Sequence, residues 1–485
     1  MKVLFVSPEV GPIVRAGGLG DVVGALPLAL GQLGIDVRVL CPLHRECADL
    51  NAETLPGSIK LKLGSTRFAC RLQESKLGNS NITVYLLENK FLFDRPGIYA
   101  DENGDYQDNP LRCFALCNAA MWLEKITGWS PDIFHSHDWM AASLPAYLNA
   151  DRSVKKKSRS VLTIHNLEHQ GVFDEKFFSS SGLPTAFAGI EGFNHYNSMN
   201  LLKGGIQHAD KITTVSPTYS EEIRTQHYGQ GLEKCLQYRG ADLIGILNGI
   251  DENSWNPETD PALEEKISPT EPEYGKNANK IALLKEMRLP DEVESPVFGV
   301  VSRLYHQKGL DLLADSLPEL ISHSPGSKYL ILGSGDVEEE KKFQALADQF
   351  PQNISVFIGF DDGLARRIFA GADFFLMPSR FEPCGLAQQY AMRYGTIPVV
   401  RKTGGLADTV TDLNNNHLSP NGFLFVESTC ESLINVIHRA IELYRKPDLF
   451  KKIRQNCLNS SCSWDLAAKK YLEVYDWALK EKSSA

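Results

Sequence analysis

The stretch from residue 376 to residue 410 constrains the fold of this chain more than any other segment. An apolar strand ends at its start, and a polar turn at residues 379–385 follows. Helical spacing of apolar residues then covers residues 386–394, a second apolar strand covers residues 397–400, and the pair Gly404-Gly405 opens another helix. Strands that alternate with helices in this way predict a parallel sheet. Both turns then lie at the carboxyl edge, where such sheets bind ligands.

The same alternation occurs in both halves of the chain, and each half contains a similar glycine turn. The first turn reads Arg15-Ala16-Gly17-Gly18-Leu19-Gly20-Asp21, and the second reads Lys402-Thr403-Gly404-Gly405-Leu406-Ala407-Asp408. A helix that begins at such a turn presents N–H groups and its positive dipole end, which suits a phosphate. A dinucleotide fingerprint does not fit, because Val23 stands where its third glycine belongs. We therefore predict an α/β protein with two doubly wound domains that face each other across a cleft.

Charge and apolar content exclude some classes of partner. The 485 residues carry a formal net charge of −10, which argues against nucleic acid or an anionic membrane but leaves a neutral polymer or a small anion open. Met1 leads almost directly into a strand, and no apolar run is long enough to span a bilayer. The ten cysteines are scattered, and Cys113 and Cys117 are expected to be buried thiols rather than a disulfide. These features predict a reduced, cytoplasmic protein.

Three charged residues stand at the predicted carboxyl edge of the second half. Glu382 comes just before a helix, where its carboxylate either faces a ligand or caps the helix. Arg303 follows a predicted strand, and Lys308 stands at the start of the next helix. These two cations either compensate the charge of a diphosphate or form a solvated surface pair.

Four further features allow two interpretations each. His135 and His137 share one face of a strand as metal ligands would, but no third ligand has suitable spacing. His165 ends another strand, either as a binding residue or as a structural histidine with satisfied hydrogen bonds. Phe360 follows a strand, either as a stacking platform or as a core residue. The loop at residues 93–99 holds aromatic residues that either stack on sugar rings or pack on the loop itself.

Two motifs carry a resemblance to a known family. Glu382-Pro383-Cys384-Gly385-Leu386, followed by Arg401-Lys402-Thr403-Gly404-Gly405-Leu406-Ala407-Asp408, resembles the donor-site segment of bacterial glycogen synthases and plant starch synthases. The resemblance runs from Ser7-Pro8-Glu9 to Ser463-Trp464-Asp465. It implies the GT-B type of glycosyltransferase fold, whose last helix crosses back onto the first domain. The expected Rossmann-like domains are residues 1–245 plus 463–485 on the glucan side and residues 246–462 on the donor side.

The resemblance also implies an activity. Members of this family transfer glucose from a nucleotide sugar to the non-reducing 4-hydroxyl of an α-1,4-glucan, with retention of configuration. Because the resemblance is to the bacterial and plastid members, the expected donor is ADP-glucose and the expected acceptor is glycogen. No metal ion, other cofactor, nucleic acid or membrane is expected, and the sequence predicts no oligomeric state. Two other functions stay open: a GT-B glycosyltransferase with a small-molecule acceptor, and a sugar-binding or regulatory protein without catalysis.

Roles for individual residues follow from the resemblance. Arg303 and Lys308 match the family's diphosphate contacts, and Phe360 matches its nucleobase platform. Glu382, His165 and Asn166 match residues that contact the transferred glucose. The expected catalytic residues are therefore Glu382, His165, Arg303 and Lys308. The other expected substrate-binding residues are Arg15, Gly18, Asp21, Asp138 on the acceptor side, Asn248 on the donor side, Cys384 as a close-packed neighbour of the sugar, Gly385 and Leu386.

Two positions depart from the family's usual residues. Arg15 stands where members usually have lysine, and it keeps the positive charge. Ala387 stands where many bacterial members have threonine, which removes one hydroxyl donor from the expected phosphate site. Neither departure predicts an inactive protein.

Overall fold

The computed structural model describes residues 1–47, 50–414, 419–460 and 463–480. The chain divides into two compact units, Met1–Asn248 with Trp464–Ala485, and Gly249–Ser463. Of the predicted domain ranges, residues 461–462 and 481–485 lie outside the described residues. Each unit contains its own parallel sheet with an apolar core on both faces, which confirms the predicted doubly wound α/β class.

The strands of the first unit form one large sheet and two small ones. They are β1 (Lys2–Val6), β2 (Asp36–Pro42), β3 (Glu53–Thr54), β4 (Ile59–Leu63), β5 (Thr66–Lys76), β6 (Thr83–Glu88), β7 (Ala100–Asp101), β8 (Gly104–Asp105), β9 (Ile133–His137), β10 (Arg159–Ile164), β11 (Val172–Asp174), β12 (Asn194–His195), β13 (Ser198–Asn200), β14 (Lys211–Thr214) and β15 (Leu243–Gly245). The large sheet has the order β15-β14-β10-β9-β1-β2-β6-β5-β3, with β4 paired to β5. From β15 to β6 the pairs are parallel, and those of β5 are antiparallel.

Helices connect the parallel strands of the first unit, as parallel pairing requires. They are α1 (Gly18–Gln32), α2 (Lys90–Phe93), α3 (Asn109–Ala120), α4 (Leu123–Thr127), α5 (Asp138–Ala141), α6 (Leu144–Ala150), α7 (Arg152–Lys155), α8 (Leu201–His208), α9 (Pro217–Glu222) and α10 (Glu233–Tyr238). Helix α1 begins within the first glycine turn, and α5 begins directly where β9 ends. Cys113 and Cys117 on α3 are buried free thiols, as predicted.

Alternating side chains of the strands build two cores in the first unit, one on each face of the sheet. On β1, Leu4 and Val6 belong to one core, whereas Val3 and Phe5 belong to the other. Successive side chains of a strand point to opposite faces, so a strand that is apolar throughout needs cover on both sides. The run of apolar residues in β1 therefore accounts for the helices on both faces.

The second unit is a six-stranded parallel sheet. Its strands are β16 (Val297–Val301), β17 (Lys328–Gly333), β18 (Ile354–Ile358), β19 (Phe374–Met377), β20 (Ile397–Arg401) and β21 (Phe423–Phe425). Its helices are α11 (Pro272–Glu286), α12 (Leu310–His323), α13 (Val337–Gln349), α14 (Asp362–Gly371), α15 (Ala387–Arg393), α16 (Gly404–Thr409), α17 (Cys430–Tyr444) and α18 (Pro447–Leu458). The strand order is β18-β17-β16-β19-β20-β21. The strands β16 and β19, far apart in sequence, are therefore neighbours.

The last helix, α19 (Trp464–Lys480), packs in the first unit. Its side chains Trp464, Tyr471 and Tyr475 join the core that contains Val3 and Phe5. This helix therefore covers one face of the first sheet together with α1. Among the described residues, no helix is both long and apolar enough to cross a bilayer.

Several elements lie in segments for which no structure was predicted. The strands β3 to β5 form an antiparallel extension of the first sheet, in which Ile59, Leu61 and Leu63 are buried and the lysines between them are exposed. This alternation is visible in the sequence and is typical of a half-buried strand. In the second unit, α11 (Pro272–Glu286) is a further element of this kind.

A buried cluster of charges fixes the start of β19. The carboxylate of Asp373 is buried and accepts hydrogen bonds from Nζ of Lys280 at 2.6 Å and from the backbone N–H of Val297 at 3.0 Å. It also accepts one from Nη2 of Arg454 at 3.2 Å. One carboxylate thus ties α11 and α18 to neighbouring strands, because a buried charge is tolerated only when it is paired and hydrogen-bonded. The opposite end of β19 leads to Glu382.

Replacement of Asp373 by asparagine should strongly destabilise the second unit. The substitution removes the negative charge that compensates two buried cations, and breaking a buried pair in this way costs about 3–5 kcal/mol. Urea unfolding should show a loss of that order in the free energy of unfolding. As a control, Asp291→Asn breaks an exposed pair with Lys285, whose atoms are 3.7 Å apart, and should change stability by less than about 0.5 kcal/mol. Equal effects of the two substitutions would contradict the anchoring role of Asp373.

Candidate functional site

A cavity of about 180 Å³ lies at the carboxyl edge of the second sheet. It is bounded by the ends of β16 and β19 and by the start of α15. Five of the residues predicted to act in the second half line it, namely Arg303, Lys308, Glu382, Gly385 and Leu386. The structure therefore brings together residues that are separated in sequence by three helices, three strands and their connections.

The carboxylate of Glu382 forms an ion pair with Lys308. The distance between Oε2 of Glu382 and Nζ of Lys308 is 2.7 Å, and both side chains are largely buried. The hydroxyl of Ser379 donates a second hydrogen bond to the same oxygen at 3.1 Å. The residue that caps α15 is Leu386, and no side chain caps this helix by a hydrogen bond. The alternative that Glu382 caps the helix is therefore wrong, because its carboxylate is directed to Lys308.

The second cation of the cavity, Arg303, is exposed, and its guanidinium lies 5.7 Å from the ring centroid of Tyr305. Its position directly after β16 and its place in the cavity lining set it beside the Lys308–Glu382 pair. An exposed guanidinium next to a buried ion pair leaves a positive charge available at the mouth of the cavity. This arrangement suits an anionic group such as a phosphate.

Glycines allow the two turns of the second unit to approach each other closely. A Cβ atom on Gly404 would lie 2.0 Å from the carbonyl oxygen of Glu382, and one on Gly405 would lie 1.9 Å from that of Cys384. The backbone N–H of Gly405 donates to the carbonyl of Glu382 at 3.1 Å. Any side chain at these two positions would push the Glu382 turn away. Cys384 is buried under this contact, as the prediction of a close-packed residue requires.

Phe360 stands apart from this cavity, at the turn that follows β18. Its side chain is 83% exposed, so the alternative of a core phenylalanine is wrong. Gly359 precedes it with a backbone φ of +143°, a conformation that favours glycine. An exposed aromatic ring without a packing role is consistent with a stacking platform.

Three residues predicted to act in the first unit lie together at the end of β9 and β10. Oδ1 of Asp138 accepts a hydrogen bond from the backbone N–H of His165 at 2.7 Å, and the backbone of Asn166 adds another. Asp138 has a backbone φ of +53°, unusual for a residue other than glycine. Burial raises the pKa of Asp138 to about 7, although both backbone hydrogen bonds oppose that shift. This carboxyl therefore titrates near neutral pH.

A row of buried histidines leads from Asp138 into the sheet. Nε2 of His165 lies 3.0 Å from Nδ1 of His137, and the ring of His137 lies 4.2 Å from that of His135. Burial lowers the pKa of His165 to about 3 and that of His137 well below its usual value, so both rings are neutral and one donates to the other. Both nitrogens of His135 have partners, in Tyr475 and Thr163.

The two bonds of His135 argue against a metal-binding role for this residue. A histidine whose two nitrogens bind protein hydroxyls has no lone pair left for a metal ion. Among the described residues, no group of three or more histidine, cysteine or carboxylate side chains is arranged to hold a metal ion. His137 instead holds the ring of His165 in place through their shared hydrogen bond.

The first glycine turn is held by a buried carboxylate. Oε2 of Glu9 accepts hydrogen bonds from the backbone N–H groups of Ala16 at 2.6 Å and Gly17 at 3.1 Å, and its other oxygen accepts one from the hydroxyl of Tyr99. Gly18 follows as the first residue of α1. Glu9 therefore sets the conformation of the turn.

The side chains at this turn are exposed. Arg15 forms a 2.9 Å ion pair with Asp21, in which the two side chains are 54% and 37% exposed. Asn248, the last residue of the first unit's main segment, is buried. In the loop at residues 93–99, Phe93 is fully buried, so the packing alternative is correct for this ring.

Sequence reasoning missed Glu9, His137 as the partner of His165, and Ser379. Glu9 and Ser379 stand inside the segments that carry the family resemblance, so their positions were visible but their bonds were not. His137 was considered only as a metal ligand. Its contact with His165 depends on the parallel register of β9 and β10, in which Thr163 faces His137.

Comparison with known proteins shows which families this chain resembles. The family model described as the starch synthase catalytic domain matches residues 2–238, and the model for glycosyl transferases group 1 matches residues 286–456. The glycogen synthase of Francisella tularensis subsp. novicida is 42% identical, and the match covers 100% of both chains. The glycogen synthase of Thermotoga petrophila is 41% identical, with 99% of both chains covered.

Two solved structures are similar to this chain. The catalytic domain of starch synthase IV from Arabidopsis thaliana, bound to ADP and acarbose, matches with a TM-score of 0.89 and 30% identity, over 99% of both chains. The sucrose-phosphate synthase of Thermosynechococcus elongatus matches with a TM-score of 0.60 and 16% identity, over 99% of both chains. The second similarity concerns the fold alone.

The raised pKa of Asp138 predicts a pH-dependent difference in stability between the parent and Asp138→Asn. The folded parent keeps a proton on Asp138 up to about pH 7, whereas the unfolded chain releases it near 3.8, so the parent loses stability as the pH rises between these values. Asparagine does not titrate and still offers an oxygen to His165. Urea unfolding should show the variant gaining on the parent by up to about 4 kcal/mol from about pH 4 to about pH 8.

A matched control is Asp151→Asn on the first unit's surface. The hydroxyl of Ser153 lowers the pKa of Asp151, so its titration lies below the tested range. This variant should show no gain on the parent over the same interval. A flat difference for Asp138→Asn as well would contradict a buried, protonated Asp138.

Proposed function

Because this chain belongs to the glycogen synthase and starch synthase family of glycosyltransferases, we propose that it transfers glucose from ADP-glucose to the non-reducing end of an α-1,4-glucan, with retention of configuration. The observation that carries the proposal is the cavity of the second unit, where a buried carboxylate and two cations meet at the carboxyl ends of parallel strands. Such an edge is where open α/β sheets bind their ligands.

Arg303 and Lys308 are the proposed diphosphate contacts. As the glycosidic bond breaks, negative charge grows on the departing phosphate, and fixed positive charges beside it stabilise the transition state. The guanidinium can bind two phosphate oxygens at once, whereas the ammonium acts as a point charge. Because the chain itself supplies these cations, the proposal includes neither a metal ion nor another cofactor.

Glu382 is the proposed contact to the transferred glucose as positive charge develops on the sugar ring. A carboxylate in a largely buried position acts strongly on a developing charge, because little water screens it. The ammonium of Lys308 offsets the cost of burying this carboxylate before the donor binds. The ion pair with Lys308 and the hydrogen bond from Ser379 therefore hold Glu382 in place.

The first unit supplies the remaining proposed contacts. His165 and Asn166 contact the glucose, and Asp138 acts on the acceptor side. Arg15, Gly18, Asp21 and Asn248 contribute to donor binding. The pair of Arg15 with Asp21 is exposed, so Arg15 can exchange its partner for a phosphate at little cost.

The proposed donor, ADP-glucose, carries ADP as its nucleotide. The Arabidopsis starch synthase that resembles this chain was solved with bound ADP, which supports an adenine nucleotide. The exposed ring of Phe360 offers a stacking surface for the base. The proposed acceptor is glycogen, since the relatives described above are glycogen synthases.

Release of nucleoside diphosphate, measured with ADP-glucose and UDP-glucose, each with and without glycogen, tests the proposal. We expect release that depends on glycogen and is at least about tenfold faster with ADP-glucose, a factor that corresponds to about 1.4 kcal/mol. Equal or faster turnover of UDP-glucose would contradict the donor. Release without glycogen would favour a small-molecule acceptor, and no release with either donor would favour a sugar-binding or regulatory protein.

The substitution Glu382→Ala should reduce kcat by about a hundredfold or more if the carboxylate acts mainly in the transition state. As a control, Asp412→Ala removes a carboxylate of similar burial that pairs with Arg439 at 2.7 Å outside the cavity lining. The control should lose stability and keep its kcat within about twofold. Steady-state rates and thermal melting of both variants distinguish a loss of catalysis from a loss of stability. A Glu382→Ala variant with the control's kcat would show that this carboxylate has no part in the reaction.

A further inference from the structure

Two neighbouring loops of the second unit carry the central ion pair of the cavity. The first loop joins β16 to α12 and contains Lys308, and the second joins β19 to α15 and contains Glu382. The first loop contains only a short 3-10 turn, His306–Lys308, and the second has no regular structure before α15. The distance of 2.7 Å between the two side chains therefore depends on contacts between the loops.

Backbone contacts bring the two loops together at several points. The N–H of Arg380 donates to the carbonyl of Gln307 at 2.8 Å, and the side-chain amide of Gln307 donates to the carbonyl of Phe381 at 3.3 Å. A Cβ atom on Gly309 would lie 2.2 Å from the carbonyl oxygen of Pro378. These contacts hold the two loops side by side.

A bidentate side-chain pair adds to these contacts. The guanidinium of Arg380 donates from Nη1 to Oδ1 and from Nη2 to Oδ2 of Asp311, each at 2.6 Å. Nη1 also donates to the carbonyl of His306 at 2.8 Å. Asp311 is the second residue of α12. The Arg380–Asp311 pair, here called the fork, therefore joins the loop that contains Glu382 to the helix that follows Lys308. Two parallel hydrogen bonds fix an orientation as well as a distance.

We propose that Arg380 and Asp311 are positioning residues that hold Lys308 and Glu382 in the mutual arrangement needed for glucosyl transfer. Neither residue lines the cavity, so neither contacts the donor there. Arg380 is two residues from Glu382 and Asp311 is three from Lys308, so a change in the fork is transmitted directly to the ion pair. This inference rests on the proposed function.

Because the Arg380–Asp311 pair is partly exposed, its loss should affect the position of Lys308 and Glu382 more than the stability of the second unit. The two side chains are 23% and 26% exposed, and ion pairs of such exposure contribute little to the folding of a whole domain. Displacement of catalytic groups by about 1 Å, in contrast, reduces rates by about a hundredfold. The guanidinium of Arg380 also holds the pKa of Asp311 below its usual value, so the pair stays ionised well into the acidic range.

The simplest competing explanation is that Asp311 only stabilises the N-terminus of α12. A carboxylate in the first turn of a helix interacts favourably with the helix dipole whatever its other partners are. That role predicts a small change in melting temperature after Asp311→Asn, an unchanged kcat, and no dependence on Arg380. The two explanations therefore differ in their effect on turnover.

The test compares Arg380→Gln, Asp311→Asn and the double variant with a matched pair of the same unit. The control pair is Arg367 with Glu286, which forms a fork with two distances of 2.7 Å at similar exposure, outside the cavity. We expect kcat with ADP-glucose and glycogen to fall by about tenfold or more in each single variant, with a smaller change in KM. The double variant should lose no more than the worse single variant, because the two residues act as one unit.

Two further variants test whether the effect on kcat requires the two parallel hydrogen bonds of Arg380 and is specific to this pair. Arg380→Lys keeps the charge but not the fork, so its kcat should lie between those of the parent and Arg380→Gln. Arg367→Gln should keep the parent's kcat within about twofold, and melting curves of all variants should show that they are folded.

The outcomes separate the inference from the proposed function. A parent protein that releases no nucleoside diphosphate overturns the proposed function and with it this role. An active parent whose kcat is unchanged in both Arg380→Gln and Asp311→Asn overturns the positioning role alone. Should Arg380→Gln fail to fold, Asp311→Asn and Arg380→Lys decide between the two explanations by the same comparison of kcat.

Discussion

Parallel hydrogen bonding between β16 and β19 is the constraint on which the candidate site of the second unit depends. Parallel neighbours end at the same edge of the sheet, and the segments that follow them begin there. Lys308 and Glu382 are 74 residues apart in sequence, yet they leave adjacent strands and their side chains meet at 2.7 Å. The register that pairs Phe298 with Phe374 therefore places the two charges opposite each other.

Buried carboxylates repeatedly hold the backbone segments around the candidate residues. Glu9 binds two N–H groups in the first glycine turn, and Asp138 binds the backbone at His165. A buried carboxylate needs several donors, and a loop that leaves a sheet has N–H groups without a partner. The loop N–H groups supply the donors that the carboxylate needs, and the carboxylate supplies the acceptors that these N–H groups lack. The loops that carry the candidate residues are thereby ordered without being part of a strand or helix.

Much of the fold could be predicted because its signals are local. The strands Val297–Val301 and Lys328–Gly333, for example, are mainly apolar runs enclosed by turn residues, a pattern that can be recognised in the sequence. Of the family motif around Glu382, three residues line the cavity, namely Glu382, Gly385 and Leu386. The two alternatives that failed, a helix cap at Glu382 and a core position for Phe360, were assigned from neighbours in sequence alone.

The sequence by itself determined the fold class, the family and the segment that contains the acid and the glycines, because strand periodicity, turn residues and motifs are properties of short stretches. Only the tertiary structure decided which side chains meet: Glu382 with Lys308, Arg380 with Asp311, and His165 with His137. Each of these contacts joins two strands or loops that are distant along the chain. Their geometry depends on sheet register and loop packing, which arise only when the whole core forms.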